Sequence, residues 1–303
     1  MALLYARKEE KMSLTSLFVR TAFSRGDKKR DEGLSTPADI VRYDNIVYGK
    51  DPKWQSLDVY RPKKEEGKPL PVIVSVHGGG WVYGSKEVYQ FYCMSLAQRG
   101  FAVVNFSYRL APGSKFPAQL RDVNRVFRWV LKNEETYGFD RKHIFAVGDS
   151  AGAHLLGLYT CICTNPEYAA HYSFHTPKGF KPAAIALNCG VYQIQISKKK
   201  DLTTRLMRDL LPDKGTPLEL EQINVLEHIT EQFPPTYVMT AYADFVKEQA
   251  PLLVHRLEEK NVPHTLCLYG DEQNQLGHVF HCNIKTADAR HCNDEECTFF
   301  LET

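Results

Sequence analysis

The chain lacks a strong charge of either sign: its 303 residues set 38 Lys and Arg against 36 Asp and Glu, for a formal net charge of +2. Its three-residue basic runs, KKR at 28–30 and KKK at 198–200, read as solvated faces, and no nucleic-acid partner is expected. No apolar run approaches the length needed to span a bilayer, so no membrane partner is expected either. The first twenty residues, MALLYARKEEKMSLTSLFVR, interleave charge with their apolar positions and miss the apolar core of about 7–15 residues that a secretory signal needs. A cytoplasmic location follows, in which the eight cysteines stay reduced and pack as small hydrophobes. Histidine and cysteine crowd the end of the chain, in HCNIKTADARHCNDEEC from His281 to Cys297, but their spacing fits no compact zinc module. Neither a metal nor another cofactor is expected, and no internal repeat or low-complexity tract appears.

What the chain does have is apolar bulk, 43% hydrophobic and 12% aromatic residues, enough to bury a large core. Residues 11–31 read as an amphipathic helix ending in basic residues, outside the core and followed by the breaking sequence GLSTPAD. Two β-type runs, VRYDNIVYG and QSLDVYRP around the turn KDPK, suggest an antiparallel start to a sheet. From residue 71 apolar strands alternate with helical segments, the pattern of a mostly parallel sheet covered on both faces. The strands are VIVSVH, FAVVNFSY, HIFAVGD, AAIALNCG, PTYVMTAY and HTLCLYG. Helices are expected near 86–99, 117–137, 151–163, 247–260 and 284–301. Between Val191 and Gln232 about forty residues with helix-like pieces exceed a plain connection and suit a lid. The domain reading is an arm at 1–40 and a catalytic domain at 41–303 carrying a lid insertion at about 191–232.

The chemistry concentrates at FAVGDSAGAH, residues 145–154, where a buried strand meets a helix through a G-x-S-x-G turn. Small residues around Ser150 permit a strained turn that lifts its hydroxyl above the sheet edge. A serine hydroxyl needs a histidine base, and that base needs a carboxylate to hold its tautomer. Asp244 follows the fifth parallel strand and His278 the loop after the sixth, both at the carboxyl edge where Ser150 lies. Asp271, Glu248 and Asp288 are rival acids, and His281 is a rival base. The Gly78-Gly79-Gly80 run after the first parallel strand admits two uses for bare backbone N–H groups, a phosphate cradle or an oxyanion hole. A phosphate loop wants Lys and then Ser or Thr; Trp81 and Val82 follow instead, which favours the oxyanion hole.

HGGGW at 77–81, YRLAP at 108–112 with KFPAQLRDV after it, and GDSAGAH at 148–154 together resemble the hormone-sensitive-lipase-like group of α/β-hydrolases, small bacterial esterases in particular, over most of residues 42–300. The resemblance implies an α/β-hydrolase fold with a small helical cap. It implies Ser150 as nucleophile, Asp244 in the context D-x-x-x-x-Q as the acid and His278, opening HVF, as the base. Gly79 and Gly80 would form the oxyanion hole with Ala151, while His77 orients the loop. The function implied is a serine carboxylesterase acting on small or short-acyl esters, including acetylated or feruloylated carbohydrates, through an acyl-enzyme. Trp81 and Tyr83 are the bulky pocket residues that would favour acetyl to butyryl groups. The alternatives are an amidase or formamidase with the same triad, and a non-catalytic ligand-binding protein; the presence of His278 weighs against the second. The partner is a small-molecule ester, and the reading also admits a homodimer.

Overall fold

A computed structural model describes residues 13–65, 67–196 and 201–303. Ser13 caps the first helix, α1 (Leu14–Asp31), its hydroxyl accepting from the backbone N–H of Ser16. Strands β1 (Ile40–Val47) and β2 (Ser56–Pro62) form the antiparallel pair that the sequence suggests. There follow β3 (Leu70–Val76), α2 (Lys86–Ala97), β4 (Ala102–Phe106) and α3 (Ala118–Lys132). The single helix expected over 117–137 is two: the Asn133 side chain donates to the Trp129 carbonyl and ends α3, and a short α4 (Glu134–Tyr137) restarts after it. Then come β5 (Phe139–Asp149), α5 (Ala151–Thr164), α6 (Pro166–Ala169) and β6 (Ile185–Asn188). The insertion carries α7 (Leu202–Leu210), α8 (Pro217–Gln222) and α9 (Val225–His228). The chain closes with β7 (Thr236–Ala241), α10 (Gln249–Glu259), β8 (His264–Tyr269) and α11 (Ala287–Glu302). The KKK run at 198–200 lies outside the described residues.

The strands make one sheet in the order β1-β2-β4-β3-β5-β6-β7-β8, in which β2 is antiparallel to both of its neighbours and every later pairing is parallel. Alternation along β3 divides the core between its two faces. Val72, Val74 and Val76 join a cluster with Leu120, Phe127, Leu155 and Leu253 from α3, α5 and α10. Ile73 points to the other side, where Met94 of α2 and Cys297 and Phe300 of α11 pack. From β3 the chain passes to β4 on one side and then returns to β5 on the other. The carboxyl ends of β3 and β5 therefore flank a topological switch point, where such sheets leave a crevice.

The arm is not peripheral, contrary to the expectation for residues 11–31. Val19 of α1 is 1% exposed and belongs to the core cluster shared with α7 residues. Polar ties hold it: the hydroxyls of Ser13 and Ser16 donate to the Asp209 carboxylate on α7, the Arg20 guanidinium donates to the carbonyls of Val82 (2.7 Å) and Ala111 (3.2 Å), and Arg30 donates to the Val88 carbonyl (2.6 Å). The sequence shows the amphipathic stripe but not its counterpart, which lies nearly 200 positions away. Among the described residues no helix is long and apolar enough to cross a membrane.

Candidate active site

Ser150 occupies a left-handed turn, φ 53° and ψ −119°, between β5 and α5. Few non-glycine residues tolerate this conformation, and the surrounding packing must enforce it. Gly152 shows how: a Cβ there would lie 2.0 Å from the Val76 carbonyl oxygen, so only glycine lets α5 start this close to β3. The Ser150 N–H donates to the Asn188 carbonyl at the end of β6 (2.9 Å), which ties the turn to the neighbouring strand.

Asp244 and His278 reach Ser150 from two loops joined by an isolated parallel bridge between Ala243 and Gly277. His278 Nδ1 is 2.7 Å from Asp244 Oδ1, and His278 Nε2 is 3.0 Å from Ser150 Oγ. An ionised carboxylate only accepts, so Nδ1 carries the proton and Nε2 is left to accept from the serine hydroxyl. Asp244 also accepts from the Val246 N–H and the Thr240 hydroxyl. Burial alone would push this carboxyl up, but the hydrogen bond and charge of His278 outweigh it and hold Asp244 below its usual range. The rival groups are elsewhere. Asp271 is exposed and accepts the N–H groups of Gln273 and Asn274, Glu248 is exposed, Asp288 is half-buried and accepts from Asn274 Nδ2 (3.3 Å), and His281 is buried edge-on against Tyr92.

Gly79 and Gly80 adopt φ 114° and 59°, and a Cβ on Gly79 would stand 2.4 Å from the Tyr83 carbonyl oxygen. The N–H of Gly78 is already spent on the Tyr89 hydroxyl (3.0 Å), which in turn donates to the buried Asp149 carboxyl (2.7 Å). The N–H groups of Gly79 and Gly80 make no hydrogen bond among the described residues. Ala151, first in α5, likewise has an N–H with no intrahelical acceptor. His77 stacks on Tyr108 at 4.0 Å and bonds the Gly78 carbonyl through Nδ1 (2.8 Å); burial lowers its pKa to about 4, so the ring is neutral and Nδ1–H is the donor.

These groups open into a cavity of about 430 Å³ lined by Ser150, His278, Gly80 and Trp81, with Val19 and Phe23 of α1 and Leu206 of α7 as further walls. A larger depression of about 700 Å³, between Arg128, Lys142 and Lys178, has no serine, cysteine or histidine in its lining. Trp81 lines the cavity, and its Nε1 donates to His154 Nδ1 (3.2 Å). Tyr83 does not line the cavity. The Val82 and Tyr83 N–H groups both turn back onto the Gly79 carbonyl, and the Tyr83 hydroxyl donates to Asp27 of α1 (2.8 Å). Sequence reasoning missed α1 as a wall and gave no role to His154. That ring, neutral because burial lowers its pKa to about 4, donates from Nε2 to the Ile223 carbonyl of the insertion (2.8 Å) while accepting from Trp81. The terminal His/Cys run gathers no metal-type ligand set among the described residues. The one such group among the described residues is Cys189 with Asp244 and His278, outside that run, with ligand atoms within 4.8 Å of one another.

A mostly parallel sheet with helices on both faces, a strained serine elbow after β5 and a glycine loop after β3 define an α/β-hydrolase of the hormone-sensitive-lipase-like kind. Residues 57–257 match the model of the BD-FAE family, and the chain belongs to that family. It is 31% identical over 224 residues to esterase LipC of Mycobacterium tuberculosis, covering 70% of this chain and 54% of LipC, so it spans about half the length of that relative. It is 26% identical over 220 residues to the versiconal hemiacetal acetate esterase of Dothistroma septosporum, covering 68% of this chain and 66% of the fungal protein. Among solved structures, inhibited esterase B from Lactobacillus rhamnosis superposes with a TM-score of 0.85 at 25% identity, over 96% of each chain.

Proposed function

We propose that the chain is a serine carboxylesterase in which Ser150 is the nucleophile, His278 the general base and acid, and Asp244 its orienting carboxylate. The observation that carries this reading is the continuous relay from Asp244 Oδ1 through His278 to Ser150 Oγ, at 2.7 and 3.0 Å, beside two glycine N–H groups that no described residue accepts from. In the first half-reaction Oγ attacks the ester carbonyl carbon while its proton passes to Nε2. Negative charge then develops on the carbonyl oxygen, where the N–H groups of Gly79, Gly80 and Ala151 receive it; one such donor contributes about 10²–10³ in rate. Collapse expels the alcohol, which takes the proton from Nε2, and leaves Ser150 acylated. Water activated by the same nitrogen reverses the sequence and releases the acid.

The substrates fitting this site are small esters with acyl groups from acetyl to butyryl, acetylated or feruloylated carbohydrates among them. A cavity of about 430 Å³ closed by Trp81, Val19 and Phe23 supports a short acyl chain. We read residues 1–40 as the arm and 41–303 as the catalytic domain, with α1 and the insertion at 191–232 acting as the cap. Treatment with a fluorophosphonate should label Ser150 in a one-to-one adduct and abolish hydrolysis of p-nitrophenyl butyrate, and Ser150→Ala should fold normally and remain unlabelled. An adduct on Ser75, Ser107 or Ser173 would sink the assignment.

A further inference from the structure

Gln249 opens α10 five residues after Asp244 and lines the same cavity as Ser150 and His278. Its Oε1 accepts two backbone N–H groups, from Tyr192 and from Gln193, each at 2.9 Å. This settles which end of the amide is which. Reversing the group would set its NH2 against two backbone donors, leaving three donors and no acceptor at one point. Both lone pairs of Oε1 are thereby occupied, and Nε2 must leave on the opposite side with two N–H bonds. No residue among those described accepts from Nε2, and it is not one of the buried polar atoms left without a partner. Among the described residues the side chain is thus a fixed donor with no protein acceptor, free to meet solvent or whatever fills the cavity. The cavity wall is also formed by the apolar Val191, Ile194, Phe245, Val246 and Leu252, with Gln193, Gln195, Asp201 and Thr203 as further polar side chains. An apolar pocket with a few oriented polar groups selects a ligand by where that ligand carries its own polar atoms.

We propose that Gln249 determines specificity: its Nε2 donates to an oxygen acceptor that the substrate carries apart from its scissile carbonyl. The preferred substrate class is therefore short esters bearing an ether or second carbonyl oxygen, over alkyl esters of the same length. The inference rests on the esterase reading and deepens it. An alkyl isostere would exclude solvent from Nε2 without replacing the hydrogen bond solvent offers, which loses affinity, whereas an oxygen at that point restores the bond. The feature is specific to glutamine, because a glutamate could accept the same two backbone N–H groups but would offer the cavity an acceptor in place of a donor.

Gln249→Glu is accordingly the discriminating variant, since it keeps the tether to residues 192 and 193 and exchanges the donor for a charged acceptor. Two pairs of isosteric esters serve as probes, each differing by one oxygen in place of a methylene. On the alcohol side these are 2-methoxyethyl acetate and butyl acetate, and on the acyl side p-nitrophenyl methoxyacetate and p-nitrophenyl butyrate. The quantity read is the kcat/KM ratio within a pair, compared between wild type and variant, so that intrinsic reactivity and any general loss of activity cancel. For at least one pair the ratio should fall about three- to tenfold in Gln249→Glu, the range that one neutral hydrogen bond contributes. Ratios equal within experimental error for both pairs, with turnover still dependent on Ser150, overturn this inference and leave the esterase reading intact. Wild-type protein that turns over none of the four esters overturns both.

Discussion

Asp244 is the residue whose role topology argues most strongly and local sequence most weakly. The residue is 3% exposed and its carboxylate faces Nδ1 of His278, whereas Asp271 is spent on capping the turn at Gln273 and Asn274. Asparagine at 244 keeps the shape but can donate a hydrogen bond, which favours the wrong imidazole tautomer and removes the charge that stabilises the imidazolium. Asp244→Asn should lower kcat by up to about 10⁴-fold with little loss of stability, the size of effect that the corresponding change has in a serine protease. Asp271→Asn should stay within a few-fold of wild type. The opposite ranking in steady-state assays would force the triad to be redrawn. Ser150 and the glycine run were legible in the sequence because each is a local signal, a turn fixed by its immediate neighbours. Asp244 and His278 were legible because strand ends gather at one edge of a parallel sheet. Tyr83 was misread because closeness in sequence to Trp81 does not fix direction: Trp81 adopts φ 62°, and the turn onto the Gly79 carbonyl carries the next side chains away from the cavity.

The elements that close the cavity could not be read in the same way. The periodicity of α1 shows that one side is apolar, but nothing in residues 14–31 says that Val19 and Phe23 meet the walls set by β3, β5 and α7. That docking depends on a few polar ties, with Arg20 reaching the carbonyls of Val82 and Ala111, the first of which lies in the turn that follows the glycine loop. Arg20→Ala removes both bonds and should let α1 recede from the cavity. Wild-type protein should hydrolyse p-nitrophenyl butyrate faster than the dodecanoate, and in Arg20→Ala that preference should shrink through a raised KM for the butyrate. A chain-length profile identical in both proteins would show that α1 does not bound the acyl site.

At the scale of the whole molecule, the sheet and both covering layers follow from the alternation of strand and helix, while the polar ties through its middle were invisible. Glu296 of α11 is one of these: it is fully buried and accepts from Asn188 Nδ2 (2.5 Å) at the end of β6 and from the Tyr92 hydroxyl (3.3 Å) on α2. Burial pushes its pKa up to about 7 from an ordinary value of 4.5. The folded protein therefore holds a proton there that the unfolded chain has already released, and stability falls as pH rises from about 4.5 to about 7. Glu296→Gln, which mimics the protonated acid, should flatten that part of the stability–pH curve and be more stable than wild type at pH 8 by about 1–3 kcal/mol. Urea melts across pH 5–8 decide the matter, and parallel curves for the two proteins would show that Glu296 folds without its proton. Three tryptophans are spread over this molecule, Trp54 beside β2, Trp129 on α3 and Trp81 at the cavity. Only Trp81 couples its indole to a neutral imidazole, that of His154, which also donates to the Ile223 carbonyl of the insertion. The ring that walls the cavity is thus an intrinsic fluorophore hydrogen-bonded through His154 to the insertion, and its emission should shift when a non-hydrolysable ester analogue fills that cavity.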